Sequence, residues 1–469
     1  VEPLSLTAAD VAAAAGGEVV RGDRTAAIGR IVIDSRAVEA GEFFVAIKGE
    51  RFDGHAFAAD AISRGAAGVL VHEPSAVPDA SGGQGLIVIR VDDTTRALQD
   101  LAHDVRQRSG ARVVAITGSA GKTTTKEVAA EFLGARYRVF RNKGNLNNHI
   151  GLPLSLLELR ARPEIAVVEL GMNHPGEIRT LVGLAEPDVR VWTNVGDAHL
   201  GFFDSPDAIA QAKAEILEHA RAEDLLVANA NDPRVISRAE WFTGRVRTFG
   251  IDTAADVAAT AVEERGLDGM SAHLRTPAGE ADLKTPLLGR GNLSNILAAS
   301  AVAIHFDVSV SEIVERAARL RPATHRGELL RLPGGITLID DSYNSSPAAL
   351  GQALATVAAV TGCARRVAVL GEMLELGAHA TRLHDQSGRL AATSGLDLLI
   401  AVGGNAARAL ADAAVAAGMP AASVIHVPTR EDAAERALAR VRPGDLVLVK
   451  GSRGIGTDFV VDRLKAEFA

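Results

Sequence analysis

At 469 residues the chain is long enough for about three domains of roughly 150 residues, since a single hydrophobic core rarely grows past about 250–300. Hydrophobic residues at 47% and charged residues at 23% exclude intrinsic disorder and collagen-like or coiled-coil architectures. Fifty Lys and Arg against 58 Asp and Glu give a net charge of −8, and with only 13 Phe, 2 Trp and 2 Tyr the chain lacks the basic excess and stacking aromatics of a nucleic-acid binder.

From Ile28 to Val91, strand-like runs (IGRIVIDS, FFVAIKG, AGVLVHE, LIVIRV) surround a helix-like run at His55–Arg64, which reads as a small α/β body. A helix over Thr94–Ser109 then leads into RVVAITG, a continuous apolar strand of the kind buried in a parallel sheet. Further apolar strands near Ile165–Leu170, Val189–Val195 and Leu225–Asn229 alternate with amphipathic helices, as βαβ units require. Between Val246 and Thr285 short strands separated by Gly, Asp and Pro take over. A helix opens near Asn292 and another ends around Leu320–Pro322.

The longest uncharged stretch, Ser342–Ala364, contains Pro347 and places Leu350, Leu354 and Val357 at helical spacing, so it reads as an amphipathic helix and not as a membrane span. Residues from Ile336 onward resume strict strand–helix alternation. The expected fold is therefore α/β in three domains, over 1–93, 94–322 and 323–469: a small N-terminal body, a central mostly parallel sheet and a C-terminal Rossmann-like domain. The opening residues show no basic stretch followed by an apolar run, and Cys363 alone cannot form an intrachain disulfide and reads as a small hydrophobe. A cytoplasmic location is expected.

The sharpest chemical motif is Thr117-Gly118-Ser119-Ala120-Gly121-Lys122-Thr123-Thr124-Thr125, between an apolar strand and a helix. Glycines let backbone N–H groups close around phosphate oxygens, Lys122 neutralises the terminal phosphates, and the Thr123 hydroxyl suits magnesium. The spacing is GxxG and not GxxxxG. No guanine-reading box accompanies it, because Asn142-Lys143-Gly144-Asn145 lacks the aspartate. Glu169 closes the strand AVVEL, putting a carboxylate at the sheet edge where ligands of open α/β sheets bind. His199 follows a later strand, and Lys213 lies in the next helix. The glycines at 403–404 and at 451, 454 and 456 read as strand-to-helix turns.

TGSAGKTTT, GNLNNHIGLPLSLL, ELGMNHPGEI, TNVGDAHLGFF, AKAEI, GRGNLSN, HRGE followed by IDDSYNSSP, VLGEMLELG and VLVKGSRG together resemble the Mur ligase family, in order and spacing, over nearly the whole chain. The resemblance implies ATP-dependent amide formation through an acyl phosphate. The first-domain string KGERFDGHAF, the NLNNHIG segment and AHLGFF point, within that family, to addition of D-alanyl-D-alanine to a UDP-muramoyl tripeptide in peptidoglycan synthesis.

By the same resemblance the loop Gly118, Ser119, Ala120, Gly121, Lys122, Thr123 and Thr124 holds the ATP phosphates. Thr123 with Glu169 holds one magnesium, and His199 helps hold a second. Lys213 matches the family's carbamylated lysine, which orients or binds the metal. Asn292, Asn295, Asp341, Tyr343 and Asn344 meet adenine and ribose, and Arg326 reaches the terminal phosphates. Ser35, Arg36, Lys48, Arg51 and His55 are candidates for the UDP end, because a diphosphate needs cations and turn N–H groups. Asn147 and Asn148 are candidates for contact from the central domain.

The C-terminal GSRGIGTDFVV departs from the family's Gly-Ser-Arg-x-x-x-Met-Glu form, so no role is carried past Arg453. No nucleic-acid partner, no membrane span and a monomer are expected. The alternatives are another Mur-type or folylpolyglutamate-type amide ligase, or a nucleotide-binding regulatory module without catalysis.

Overall fold

The computed structural model describes residues 2–49, 52–78, 85–198 and 200–468. The chain forms two compact bodies, Val1–Ala115 with Tyr137–Val189, and Ile116–Arg136 with Arg190–Ala469.

The first body begins with a sheet of β1 (Glu18–Arg21), β2 (Ile31–Val32), β3 (Phe43–Val45), β4 (Gly68–Val71) and β5 (Ile87–Arg90). The order is β1-β5-β4-β3-β2, parallel except for the β1–β5 pair. Strands β3 and β4 are buried throughout, which is why they read as unbroken apolar runs. The helix-like run at His55–Arg64 divides in two: Asp53 accepts from the His55 amide and starts a 3₁₀ turn over Gly54–Phe57, and the α-helix occupies Ala58–Ser63. The helix Thr94–Ser109 starts on an Asp93 cap and ends at Gly110, whose φ of +71° suits a residue without Cβ.

This body also contains the start of β6 (Arg112–Thr117), then β7 (Val139–Arg141) and β8 (Ile165–Glu169), which pair in parallel, and it ends on the first residue of β9 (Val189–Trp192).

The second body takes up the ends of β6 and β9, where the Thr193 amide donates to the Thr117 carbonyl at 3.0 Å. Strands β10 (Leu225–Asn229), β11 (Arg245–Ile251) and β12 (Val257–Glu264) follow in parallel, and β13 (Met270–Thr276) and β14 (Gly279–Thr285) close that edge antiparallel. The helix Gly289–His305 packs on the helix Lys122–Leu133 that leaves the glycine-rich loop.

A separate six-stranded sheet contains β15 (Glu328–Leu332), β16 (Ile336–Asp341), β17 (Arg365–Gly371), β18 (Leu398–Val402), β19 (Val424–Val427) and β20 (Asp445–Lys450). Its order is β15-β16-β20-β17-β18-β19, all parallel but β15. Strands β16 and β17, consecutive in the chain, thus lie on either side of β20, and the crevice at such a switch point opens at the carboxyl ends of the strands. Asp341 and Lys450 stand at those ends. The helix Pro347–Ala359 buries Leu350, Leu354 and Val357, the spacing its sequence shows, and Cys363 lies partly exposed between it and β17. Among the described residues no helix is long and apolar enough to cross a membrane.

One ion pair ties the middle of the second body together. Arg190 and Asp224, 1% and 2% exposed, meet at 2.8 Å, and Arg190 Nε donates to the Ile216 carbonyl at 2.8 Å. Asp224 also accepts from the Arg221 amide at 2.9 Å. Removing one member of a buried pair strands the other charge, so Asp224→Ala should cost about 3–5 kcal/mol. Urea denaturation followed by tryptophan fluorescence measures it, since Trp192 lies in the same strand as Arg190.

Candidate active site

The glycine-rich loop turns between β6 and the helix Lys122–Leu133. Gly118 and Gly121 adopt φ of +150° and +82°, and a Cβ at either would collide, with Thr193 Oγ1 and Asn295 Oδ1 respectively. The segment Thr193–Gly196 grips the loop from one side. Asn194 accepts the Ser119 amide through its carbonyl at 3.0 Å and the Ala120 amide through Oδ1 at 2.8 Å. Thr193 Oγ1 donates to the Ala120 carbonyl at 2.7 Å, and the Gly196 amide donates to Ser119 Oγ at 2.9 Å.

From behind, Asn229 Nδ2 donates to the Thr193 carbonyl at 2.7 Å, and Asp232 Oδ2 accepts the Val195 amide at 2.7 Å while capping the helix Pro233–Ala239. Thr193 and Asn194 open the TNVGDAHLGFF string but take no role from sequence, and Asn229 and Asp232 lie in no motif. The Asp-Pro pair at 232–233 is nevertheless a helix-start signal, with a cap followed by proline at the first helical position.

Lys122 Nζ donates to the Gly118 carbonyl at 2.8 Å, so its ammonium folds over the loop it serves. Thr123 lies half-buried on the first helical turn. Asn295, 8% exposed, accepts from Thr125 Oγ1 at 3.2 Å, and its side chain abuts Gly121. Its Nδ2 also lies 3.5 Å from Asn292 Oδ1 on the same helix. Asn292 Nδ2 donates to the Leu288 carbonyl at 2.9 Å.

A cavity of about 790 Å³ joins this loop to the six-stranded sheet within the second body, lined by Ser119, Gly121, Lys122 and Thr124 on one side and by Arg326, Asp341, Tyr343 and Asn344 on the other. Arg326 places its guanidinium carbon 4.1 Å from the centroid of the Tyr343 ring. Lys450, 3% exposed, reaches Asp341 Oδ2 at 2.6 Å and the Asn344 carbonyl at 3.0 Å. That lysine, 109 residues away in sequence, fixes the turn that presents Asp341, Tyr343 and Asn344. His325 backs the same turn, with Nδ1 2.7 Å from Asp340 Oδ2 and its carbonyl accepting the Tyr343 amide at 3.1 Å.

Lys213 ends the helix Pro206–Lys213 at 1% exposure, with Glu215 at 7%, so it is not a solvated helix lysine. His199 and Arg51 lie outside the described residues.

In the first body, Glu169 is 4% exposed at the end of β8, where its Oε1 accepts from Asn147 Nδ2 at 2.8 Å and its amide donates to Asn142 Oδ1 at 3.1 Å. The sequence segment around Asn147 and the strand-end carboxylate therefore meet. Asn148 turns its Oδ1 to the Gly151 amide at 2.8 Å and starts a helix.

At the proposed UDP end, Ser35 is buried and Lys48 exposed, while Arg36 makes two contacts to Asp34 at 3.0 and 2.8 Å that hold the Asp34 carboxyl at about 2. His55 accepts the His72 amide at Nε2 (2.8 Å), so Nδ1 carries the proton toward Asp53, 2.6 Å away. Arg36, exposed, and His55, half-buried, thus hold their local turns.

Another wall of the cavity comes from the loop after β17. Gly201 donates its amide to the Glu375 carbonyl at 2.7 Å, and a Cβ on Gly201 would lie 2.7 Å from the Gly377 nitrogen. The loop is held by the Met373 amide donating to His384 Nε2 at 2.9 Å, with His384 Nδ1 directed to the Ala380 carbonyl at 2.7 Å.

A glycine-rich loop at a strand end, a half-buried lysine on it and a second α/β domain sharing the cavity define a P-loop nucleotide-dependent enzyme of three-domain α/β construction. Three family models match in succession: the Mur ligase family, catalytic domain over residues 27–106, the Mur ligase middle domain over 116–303 and the Mur ligase, glutamate ligase domain over 325–453. The chain belongs to the Mur ligase family. It is 34% identical to UDP-N-acetylmuramoyl-tripeptide--D-alanyl-D-alanine ligase of Bacillus subtilis over 92% of each chain. A crystal structure of MurF from Acinetobacter baumannii superposes with a TM-score of 0.88 at 32% identity, covering 99% of this chain and 100% of that one. MurF ligase from Thermotoga maritima in complex with ADP gives 0.81 at 28% identity, over 94% and 97%.

Burial pushes the His384 imidazole below its ordinary value of 6.5, so the neutral ring is the native form. Its contribution to stability is complete above pH 6.5 and is lost as pH falls from there toward the lower native value. Thermal melts should show a falling midpoint below pH 6.5, and His384→Gln should flatten that slope.

Proposed function

We propose that this chain joins D-alanyl-D-alanine to a UDP-N-acetylmuramoyl tripeptide with ATP, in peptidoglycan synthesis. The observation that carries this reading is the single cavity in which the phosphate loop meets Arg326, Asp341 and Tyr343. It lies in a chain whose likeness to UDP-N-acetylmuramoyl-tripeptide--D-alanyl-D-alanine ligases runs nearly end to end. A carboxylate oxygen of the tripeptide attacks the γ-phosphorus, ADP leaves and an acyl phosphate forms. The dipeptide amine then adds to the acyl carbon, phosphate leaves and the ammonium proton passes to solvent. Both steps develop negative charge, so the barrier falls mainly by positioning and electrostatic stabilisation.

In this reading the amides of the loop Gly118–Thr124 and the Lys122 ammonium bind the phosphates, and Arg326 meets the terminal phosphate from the C-terminal domain. Asn292, Asn295, Asp341, Tyr343 and Asn344 orient the nucleoside. Closure of the cavity by the C-terminal domain excludes the water that hydrolyses an acyl phosphate. The hydroxyl of Thr123 and the carboxylate of Glu169 are hard oxygen donors that suit magnesium, which keeps waters and phosphate oxygens for its remaining positions. The ion supplies charge neutralisation at the phosphates when bound.

His199 is proposed to help hold a second magnesium, Ser35, Arg36, Lys48, Arg51 and His55 to form the UDP-binding set, and Asn147 and Asn148 to contact the substrate. The proposed domain limits are 1–93, 94–322 and 323–469, with action as a cytoplasmic monomer.

Lys213 is proposed to be carbamylated. The neutral amine adds to carbon dioxide, an N–C bond forms and one proton leaves to solvent, which replaces a buried cation by an anion able to orient the metal. Lys213→Ala should lower turnover roughly 100-fold. Acetate or formate should restore part of it, and full activity in the alanine variant would remove the role.

The function itself is read by phosphate release from ATP and magnesium with UDP-muramoyl tripeptide, adding D-alanyl-D-alanine or a free diamino acid. Phosphate should appear with the dipeptide, with a product heavier by the dipeptide residue. Turnover with the diamino acid alone would point to another ligase of the family, and ATP binding without turnover to a regulatory module.

A further inference from the structure

Arg453 occupies the tip of a turn after β20, closed by the Ile455 amide donating to the Ser452 carbonyl at 2.9 Å, and its exposed side chain lines the cavity. Its guanidinium carbon is 5.2 Å from the Tyr343 centroid, so this one ring receives both Arg453 and Arg326. Among the described residues neither arginine has an ion-pair partner. Two like charges set against one ring at the edge of a low-dielectric cavity repel each other, and anionic ligands relieve that repulsion.

Beside Arg453 the cavity offers an apolar surface. Leu374 is 39% exposed, unusual for a leucine in a cavity wall, and a Cβ on Gly454 would lie 2.8 Å from its Cδ1. The two residues share one frame, because the Leu374 amide donates to Ser452 Oγ at 2.9 Å and the Ser452 amide donates to the Glu372 carbonyl at 3.3 Å. The backbone that carries the cation and the backbone that carries the apolar surface are therefore held to each other before any ligand arrives.

The nucleotide phosphates already have Lys122 and Arg326. Of the carboxylates in the reaction, that of the tripeptide is consumed as the acyl phosphate, whereas that of the incoming dipeptide stays free and anionic throughout and lies beside two methyl groups. We propose that Arg453 and Leu374 form the subsite for that dipeptide, the guanidinium taking the carboxylate in a two-point contact and Leu374 covering a methyl group. This rests on the D-alanyl-D-alanine reading given above.

The test compares wild type, Arg453→Met and Arg453→Lys in steady-state turnover, with D-alanyl-D-alanine and with D-alanyl-D-alaninamide, which lacks the carboxylate. Arg453→Met should raise KM for the dipeptide about tenfold or more while KM for ATP and for the tripeptide stays within about twofold. Arg453→Lys should recover part of the loss. Wild type should disfavour the amide by a similar factor, and Arg453→Met should not discriminate. A rise in KM for ATP instead, or a preference for the carboxylate that persists in Arg453→Met, overturns the proposal alone. Absence of wild-type turnover with either dipeptide overturns the functional reading and this subsite with it. Unchanged melting temperatures confirm that the exposed substitutions leave the fold intact.

Discussion

A loop that binds phosphate with its backbone must be rigid without side chains of its own to brace it, and in this chain the bracing comes from Thr193 and Asn194. These residues hold the Ser119 and Ala120 amides and the Ala120 carbonyl, and Thr193 Oγ1 occupies the space a Cβ on Gly118 would need. Asn229 and Asp232 brace the braces from β10 and its following helix. The glycines are thus required twice over, by their positive φ and by the closeness of their neighbours. Removing the nearby side chains would leave Gly118 and Gly121 with conformational freedom to lose at each binding event, a cost that preorganisation avoids.

The six-stranded sheet contributes through its topology. Because β20 is inserted between β16 and β17, the end of the last strand lies beside the end of the first parallel one, and Lys450 reaches Asp341. A nearly buried ammonium is tolerable only with its charge met, and here a carboxylate and a carbonyl meet it. The same register places Ser452 under the loop after β17, so the turn bearing Tyr343, the loop bearing Leu374 and the turn bearing Arg453 are fixed to one another. Contact between Gly201 and the 375–377 backbone needs two residues without side-chain bulk, which explains glycine at both 201 and 377.

Much of this was legible in the sequence where the determinant is local. Continuous apolar runs gave β6, β8 and β10, since strands buried on both faces admit no alternation, and the glycine–lysine loop announced its chemistry by composition alone. Element edges were less legible. The helix expected near Asn292 starts at Gly289 on a Leu288 cap that donates no side-chain bond, so no capping residue marks it. The run His55–Arg64 divides at Phe57 because the Asp53 cap begins a tighter turn first. Lys450 stands in the VLVKGSRG string, yet its pairing with Asp341 was not legible, because that role depends on strand order, a property of the whole sheet. Asn295 was legible as a site residue but not as a wall of the phosphate loop, since that contact joins two helices 170 residues apart.

The overall charge of −8 gives no hint of the cavity, where Lys122, Arg326, Lys450 and Arg453 gather around a small number of carboxylates. The segregation is physically necessary. A chain that handles a triphosphate and carboxylate substrates has to focus positive potential where those groups react, and low-dielectric walls strengthen that focus. A globally basic surface would instead bind polyanions of any kind, with nucleic acid the most abundant. Acidic residues over the rest of the surface keep the attraction local. The electrostatic design is therefore read in the cavity and not in the sum, and the low aromatic content follows the same logic: a ring such as Tyr343 is placed where two guanidiniums need a common platform.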